Sequence, residues 1–449
     1  MSAYPDIKVP EPRISKIIIF LVKILARLYL FLFLGVARVI LRGEKNLFFA
    51  FKRALSGESR CILAFRHPNG GEPQLLAWFI IFKLTRLAAK AGVSFALKPH
   101  VCFVYGYEVV RWGGAMARLV MPRLGAMPVH HSKLDSRGMA RIYDAIIKGP
   151  YPLAIAPEGQ VSYTSDDIPR LEQGPVRIGF HAASRLVKAG ETCPVEVLPV
   201  SFHFRYGKWG KMTLEMLLKR IERYTALKGQ GKQSSLSFTG RIEKCREHIL
   251  EANERRYGIS PDKSRSFSER VDAVIEAALG YTERILGVKS GGKDIFSRLY
   301  FLRQLCWDRI FLPGRDSLKG RSRVDRAAAD LRAGEAWYAG RHLELIDFVW
   351  YFRGALPSED ASMHIKIEYV QNLWDFANRS MGGAYSNRIN IFPRRVIIQV
   401  APPLNLTERL PDYHQDKKNA ILKAISDLKD AYIGCIQTVN NNENRRDGS

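Results

Sequence analysis

His67 and Glu72 flank a tight Pro-Asn-Gly-Gly turn that separates two apolar runs of the sequence. Residues five apart on a regular helix lie about 140° from each other, so the two side chains could not meet on one helix. The turn residues forbid that helix, and the two glycines allow positive φ, so we expect the carboxylate to fold back toward the imidazole. An imidazole held at one nitrogen by a carboxylate can act as a general base toward a hydroxyl or a water, typically worth about 10²- to 10⁴-fold in rate.

The elements that must position this pair are a strand and a helix. The run CILAF, residues 61–65, predicts a strand, which places His67 just past its end. Glu72, followed by Pro73, is predicted to open a helix over 72–90, where the helix dipole favours an ionised carboxylate. A His and a Glu around a turn are by themselves usually solvated loop residues, so the pair needs support from elsewhere in the chain.

That support comes from a second block, YPLAIAPEGQ, at residues 151–160. It reads as another strand that ends in a turn, Pro157-Glu158-Gly159. Open α/β sheets bind ligands at the edge formed by the carboxyl ends of their strands. We therefore expect Glu158 and neighbouring backbone N–H groups to lie at the same edge as His67. An exposed turn carboxylate with no ligand is the alternative reading of Glu158.

The wider pattern predicts an α/β fold. Between residues 61 and 203, apolar runs of strand length alternate with stretches of helical spacing, as in a sheet with helices packed on its faces. From about 211 to 390 the pattern is helical throughout. A strand pattern then returns at 394–406, followed by an amphipathic helix at 416–437 and a polar tail that we expect to be disordered.

Composition bounds the partners without choosing among them. The chain has 449 residues, of which 47% are hydrophobic, so it can bury a large core and is not a disordered protein. Its net charge of +25 draws anionic partners such as nucleic acid, acidic lipid or phosphorylated substrates. The six cysteines are scattered without a CxxC pair, which favours reduced core residues in a cytosolic setting over disulfides or a zinc site.

Residues 16–42 form the most apolar stretch, but lysines and arginines interrupt it, and its uncharged runs are too short to span a bilayer. On a helical wheel, its cations fall within one arc of about 100°. The stretch therefore predicts a helix that lies in a membrane interface, with its cations, Arg27 among them, facing lipid phosphates. A core helix of a soluble domain is the alternative, and a signal peptide is disfavoured because no cleavage site follows.

Taken in order, these blocks resemble the glycerolipid acyltransferase family that includes 1-acylglycerol-3-phosphate and glycerol-3-phosphate acyltransferases. The family carries a His-x-x-x-x-Asp block, matched here by residues 67–72, and a Phe-Pro-Glu-Gly-Thr-Arg-Ser block, matched by residues 156–162. A Val-Pro-Val-like strand follows, matched around Pro199. RLGAMPVHH at 123–131 and EQGPVRIGFHAAS at 172–184 resemble two further blocks, and the likeness covers about residues 60–203.

The resemblance implies an enzyme with the family's mixed sheet flanked by helices. Together with the pattern along the chain, it leads us to expect five segments. The segments are a membrane-interface helical segment at 1–55, an acyltransferase core at 56–210, a mainly helical insertion at 211–390, the closing strand and helix at 391–437, and a disordered tail at 438–449. The segment 298–315 within the insertion suits a second membrane contact, a lid over the site, or a packed helix.

The implied mechanism uses His67, oriented by Glu72, as the base for an acceptor hydroxyl that attacks the thioester of acyl-CoA or acyl carrier protein. It needs no metal and no further cofactor. The resemblance and the nearby basic residues assign substrate contacts to this set: Arg66, Lys98, His131, Lys133, Pro157, Glu158, Gly159 and Pro199. The expected place is the cytoplasmic side of a membrane with anionic lipids, as a peripheral or monotopic protein. The sequence does not indicate the oligomeric state.

Three departures from the family pattern bear on the acceptor. Glu72 replaces an Asp, which preserves the charge. Gln160 and Val161 replace a Thr-Arg pair, and His131 stands where another Arg is usual. Two missing guanidinium groups remove bidentate phosphate recognition, so either other basic residues bind the phosphate or the acceptor is not a simple glycerol phosphate.

Three other classes of protein compete with this interpretation. A metal-dependent hydrolase would draw on the chain's histidines, but HExxH and known zinc spacings are absent. A nucleic-acid-binding protein would explain the charge, but the basic residues are spread among acidic neighbours and no such module is recognised. A non-catalytic membrane-bound scaffold would keep the same blocks as architecture only.

Overall fold

The computed structural model describes residues 2–130, 135–207, 209–225, 236–290, 294–314, 318–350, 355–383 and 388–447. Contacts divide the chain into two compact units. Of the described residues, 9–130, 135–207 and 390–447 form the sheet unit. The helical unit holds those at 2–8 and those between 209 and 389.

The strands within the described residues are β1 (Tyr4–Pro5), β2 (Val36–Arg42), β3 (Arg60–Phe65), β4 (Cys102–Gly106), β5 (Met127–Val129), β6 (Leu153–Ile155), β7 (Val195–Tyr206), β8 (Phe311–Leu312), β9 (Arg394–Val400) and β10 (Leu404–Asn405). The helices of the sheet unit are α1 (Lys16–Leu32), α2 (Glu44–Ser56), α3 (Glu72–Phe79), α4 (Thr85–Lys90), α5 (Glu108–Trp112), α6 (Gly114–Arg123), α7 (Ser136–Lys148), α8 (Gly174–Lys188), α15 (Leu410–Gln415) and α16 (Lys417–Asp447). A π-helical turn, Ile80–Leu84, joins α3 to α4. The helices of the helical unit are α9 (Gly210–Tyr224), α10 (Phe238–Arg256), α11 (Phe267–Leu286), α12 (Ile295–Ile310), α13 (Arg323–Trp350) and α14 (Met363–Ser380).

The sheet unit is a mixed α/β structure, as the sequence predicts. Among the residues described, its sheet has eight strands, seven of them in the order β2-β9-β7-β3-β6-β4-β5, with β10 also paired to β7. β3 lies between β6 and β7 and runs parallel to both. β7 and β9 are antiparallel. The carboxyl ends of β3 and β6 therefore meet at one edge of the sheet.

The central strand β3 is buried on both faces because helices cover the sheet on each side. Its side chains alternate between two hydrophobic cores, as the pleat of a strand requires. Leu63 and Phe65 pack in the core that also holds residues of α2 and α3. Ile62 and Ala64 pack in the core that holds residues of α8 and α16. This rigid strand carries His67 at its end.

The predicted helix over 16–42 is wrong beyond α1. Gly35 has φ +64°, which ends the helical path, and the β-branched run after it forms β2 beside β9. Arg27 is also misassigned, because its guanidinium donates to the carbonyls of Val36 and Ala37 at 3.1 and 2.7 Å. The predicted segment 1–55 is consequently divided. Residues 1–8 belong to the helical unit, and 9–55 contribute a strand and two helices to the sheet unit.

The predicted disordered tail is also wrong as far as Asp447, the end of α16. Tertiary contacts hold its polar residues. Asn440 accepts a hydrogen bond from Arg205 at 2.6 Å, and Glu443 pairs with Arg42 at 3.2 Å. Val439 is fully buried. Polar composition predicts disorder only where such partners are missing.

The helical unit holds α9 to α14 and the short parallel pair β1 and β8, in which Tyr4 lies opposite Phe311. The proposed surface segment 298–315 falls largely on α12. Its large apolar side chains Leu299, Leu302 and Ile310 are buried, and α12 packs against α13. Of the three readings of this segment, the packed helix is therefore the observed one. No helix among the described residues is long and apolar enough to cross a membrane.

Candidate active site

The predicted contact between His67 and Glu72 is present. His67 Nδ1 lies 2.7 Å from Glu72 Oε2, and the Gly70 N–H donates to the same oxygen at 2.8 Å. Glu72 opens α3 and is fully buried, whereas the His67 side chain is 17% exposed. A buried carboxylate at a helix N-terminus thus holds one nitrogen of a partly exposed imidazole.

The turn needs its two glycines for different reasons. Gly70 has φ +101°, a conformation that residues with a side chain rarely adopt. Gly71 has negative φ, but a Cβ there would lie 2.8 Å from Leu34 Cδ1, so a larger residue would displace Leu34. The turn and the segment that follows α1 are therefore in close contact, a proximity that the sequence does not indicate.

Glu158 fixes the backbone of His67 from the neighbouring strand. Its Oε2 accepts from the His67 N–H at 3.2 Å, and its Oε1 accepts from Arg66 Nε at 2.7 Å. The carbonyl of His67 accepts from the Ser162 N–H at 2.9 Å. His67 is thus held at its amide, its carbonyl and its ring. The sequence placed Glu158 at the correct edge, but as a contact for substrate.

The predicted assignment of Arg66 and Glu158 to substrate binding is wrong. Both side chains have no exposed surface. Beyond Glu158, the Arg66 guanidinium donates to the carbonyls of Ser165 at 2.6 Å, Asp167 at 2.6 Å and Thr164 at 3.1 Å. A guanidinium with these partners supports the loop 162–167 and cannot reach a phosphate. Only the burial of Arg66 reveals this role, since an arginine beside a histidine otherwise suggests ligand binding.

The other predicted substrate contacts are dispersed. Gly159, with φ +70°, forms the turn after β6, and Pro157 is buried beside it. Pro199 is buried in β7, level with Ala64 of β3. Lys98 is exposed in the loop before β4, and no hydrogen bond or ion pair of the described residues joins it to His67. His131 and Lys133 lie outside the described residues.

Two further histidines of the described chain, His100 and His130, have surroundings of their own. His100 Nε2 lies 2.9 Å from the Leu124 carbonyl, and His130 stacks on Tyr107 with ring centroids 4.4 Å apart. No three His, Cys, Asp or Glu side chains gather into a group that could hold a metal ion in the part of the chain that the structure describes. The six cysteines are free thiols, and burial raises the pKa of Cys435 to about 12.

The sheet unit holds another buried histidine, His203 of β7, close to Asp166 of the loop 162–167. Its Nδ1 is 3.8 Å from Asp166 Oδ1, and Asp166 Oδ2 accepts from Asn440 at 2.8 Å. Burial lowers the pKa of His203 to about 4, and the positive charge of Arg205 acts in the same direction while Asp166 opposes it. His203 is therefore neutral near pH 7, buried next to Asp166 of the loop 162–167.

We expect His203 to make the folded state sensitive to acid. Above about pH 6.5 neither state binds a proton at this imidazole, and below it the unfolded imidazole is protonated while the folded one stays neutral down to about pH 4. Stability is therefore lost as the pH falls. Replacing His203 by Asn should reduce the loss of unfolding free energy between pH 7 and pH 5 by about 2 kcal/mol, measured by urea denaturation. Equal losses in both proteins would contradict this prediction.

Comparison of the sequence with models of known protein families finds no match. Comparison with curated proteins finds no significant match either.

Proposed function

We propose that this protein is a membrane-associated O-acyltransferase that moves a fatty acyl group from acyl-CoA or acyl carrier protein to the hydroxyl of a glycerol-phosphate-type acceptor, with 1-acylglycerol-3-phosphate preferred, in phospholipid biosynthesis. The observation that carries the proposal is the 2.7 Å contact between His67 Nδ1 and the buried Glu72 carboxylate. The reaction class rests on the resemblance of the motifs, in their order and spacing, to those of the glycerolipid acyltransferase family.

The contact determines what His67 can do. Because the carboxylate accepts at Nδ1, the neutral ring carries its proton there and leaves a lone pair on Nε2. In the proposed reaction, Nε2 takes the proton of the acceptor hydroxyl while that oxygen attacks the thioester carbonyl carbon. The C–S bond then breaks, and the departing thiolate receives the proton from the His67 imidazolium. The imidazole returns to its starting state, so each turnover is balanced.

Rigid positioning supports the same proposal. A base must sit within hydrogen-bond distance of the proton that it removes, and small displacements are costly. Here Glu158, Ser162 and Glu72 hold the amide, carbonyl and ring of one residue, and Arg66 holds the loop that contributes Ser162. This fixation at three points is what a general base requires, and it supports catalysis by His67.

Arg66 does not bind the acceptor phosphate in this proposal, because its side chain lies entirely in the protein interior. Lys98, His131 and Lys133 are the remaining candidates for binding a phosphate. In the test, the protein is incubated with one labelled acyl-CoA and one acceptor from a panel: glycerol 3-phosphate, lysophosphatidate, other lysolipids or uncharged alcohols. The products are identified by mass spectrometry. We expect acylation of phosphorylated acceptors. Activity on uncharged alcohols alone would overturn the preferred substrate.

Association with a membrane is proposed through α1. Nine large apolar residues of this helix are each at least 39% exposed, and Ile17, Phe20 and Ile24 are at least 60% exposed. Exposed apolar surface of this extent marks an interaction site. Lys16 and Lys23 are exposed on the same helix. We place this face in the lipid interface at the cytoplasmic side of a membrane, with the lysines at the headgroups.

We expect the double substitution Phe20→Glu/Ile24→Glu to weaken binding to anionic vesicles at least tenfold. Two apolar groups are lost from the interface, each worth about 1.5–3 kcal/mol when fully buried, and two charges are repelled by the lipid. Val187→Glu is the control, because Val187 is 47% exposed on α8 of the same unit. Vesicle co-sedimentation measures the effect, and equal binding of the two variants would argue against α1 as the membrane face.

A further inference from the structure

The helical unit carries an amphipathic surface of its own on α9. Trp209, Met212 and Met216 are 53%, 50% and 56% exposed, respectively. The opposite side of the helix is packed into the unit, where Leu214, Leu217, Leu218 and Ile221 are buried. The three exposed residues are large, apolar and spaced three and four apart, so they form one continuous stripe on the helix surface.

Cations share the arc with this stripe. At about 100° per residue, one arc of roughly 100° contains all of these residues: Trp209, Met212, Met216, Lys219, Arg220 and Arg223. The acidic residues of α9, Glu215 and Glu222, lie outside the arc and both bind Arg241, at 2.8 and 2.7 Å. We call the six residues of the arc the α9 face.

The cations of the α9 face have few carboxylate partners among the described residues. Lys219 Nζ lies 3.5 Å from Glu215 Oε1, and the same carboxylate also binds Arg241. The Arg220 guanidinium sits over the Trp374 ring, 4.5 Å from its centroid, and no carboxylate of the described residues forms an ion pair with it. All three cationic residues are exposed. The α9 face therefore combines an apolar stripe with net positive charge.

We propose that the α9 face binds an anionic lipid surface. Trp209, Met212 and Met216 enter the boundary between headgroups and acyl chains, and the three cations bind lipid phosphates. This is the composition of helices that lie in a membrane interface, with tryptophan and other apolar residues on one side and basic residues beside them. The inference extends the membrane association of the proposed function to the helical unit, but does not depend on acyl transfer.

Charge selects this occupant over a second copy of the chain. A symmetric dimer through the α9 face would bring two sets of three cations together, in a protein with a net charge of +25. An anionic bilayer is complementary to both parts of the face. Two separate lipid contacts on one chain also strengthen binding by effective concentration where both can engage, without either being strong alone.

The test measures co-sedimentation of the full-length protein with phosphatidylcholine vesicles that contain or lack phosphatidylglycerol. The double substitution Met212→Glu/Met216→Glu is introduced into the wild-type chain and into the Phe20→Glu/Ile24→Glu chain, so that α1 does not mask the effect. Leu331→Glu is the matched control, because Leu331 is 66% exposed on α13 of the same unit. We expect about tenfold weaker binding to anionic vesicles for the double variant in the α1-substituted chain, and unchanged binding for the control.

A second variant tests the cations alone. Lys219→Glu/Arg223→Glu leaves the apolar stripe intact and should remove the preference for phosphatidylglycerol. Vesicle binding by both α9 variants equal to that of Leu331→Glu would overturn the inference. So would a wild-type dimer, seen by light scattering, that the α9 variants convert to a monomer with unchanged vesicle binding, or α9 variants that lose binding to an acidic protein but not to vesicles.

Lipid binding by the α9 face and acyl transfer at His67 can be tested separately. On a soluble short-chain donor and acceptor, the α9 variants should keep wild-type acyl transfer, since none of the described hydrogen-bond partners of His67 lies on α9. Loss of vesicle binding with acyl transfer intact supports the α9 face. If the wild-type protein binds vesicles through α9 but transfers no acyl group, the enzymatic proposal is contradicted and lipid binding by the α9 face is still supported.

Discussion

Replacing His67 by Ala is expected to lower kcat for acyl transfer by about 10²- to 10⁴-fold, the usual contribution of a positioned general base. The protein should remain folded, because the His67 side chain is partly exposed. Within the described chain, Glu72 is the one hydrogen-bond partner of its ring. KM should change little, since the interaction that is lost forms mainly in the transition state.

The control for His67→Ala is His414→Ala. His414 is an exposed histidine of the same unit, at the end of α15, and its ring lies 3.4 Å from the Ser184 hydroxyl. Its loss should leave the rate unchanged. Glu72→Gln makes the comparison sharper. An amide at this position can donate to Nδ1 and so favour the wrong tautomer of His67, which should cost about 10²-fold or more with the fold retained. An unchanged rate in folded His67→Ala would show that His67 is not the base.

The largest expected effect on stability comes from Arg66. Arg66→Met removes one partner of a fully buried ion pair and leaves the Glu158 carboxylate without its guanidinium, a change that typically costs about 3–5 kcal/mol. Three backbone carbonyls of the loop 164–167 also lose a donor. Urea denaturation should show the loss of stability, and acyl transfer should fall because Ser162 no longer holds the His67 carbonyl in place.

Two further variants keep this prediction testable if Arg66→Met folds poorly. Arg66→Met/Glu158→Leu removes both charges, and should be more stable than Arg66→Met alone because no unpaired charge stays buried. Lys148→Met is the control, because Lys148 pairs with Asp144 on the surface with 76% of its side chain exposed, and exposed pairs contribute little. A loss in Arg66→Met no larger than in Lys148→Met would refute the supporting role of Arg66.

Local geometry made the reactive pair predictable from the sequence. The turn between His67 and Glu72 is only four residues long, so turn chemistry and the helix N-terminus together set the contact. The flanking strand at 61–65 and the helix that begins at Glu72 were predicted for the same reason. Sequence patterns that span only a few residues predict the local structure of those residues, because they do not depend on distant partners.

The features that the sequence did not predict depend on distant partners. The apolar residues of α1 and β2 run together without a change in composition, and only pairing with β9, more than 350 residues later, makes one of them a strand. The polar end of α16 is helical because Asn440 and Glu443 find partners on β7 and β2. Arg66 supports the site because Glu158, 92 residues away, lies beside it in the sheet.

The measurement that tests the central claim most directly is ester formation by the wild-type protein. The purified full-length chain is given acyl-CoA or acyl carrier protein with and without acceptor, and free thiol and acylated product are quantified together. We expect thiol release to require an acceptor hydroxyl, to match the ester formed mole for mole, and to fall by about 10²- to 10⁴-fold in His67→Ala. Thiol release that is independent of acceptor, or no ester from any acceptor with either donor, would contradict the assignment of His67 and Glu72 to acyl transfer.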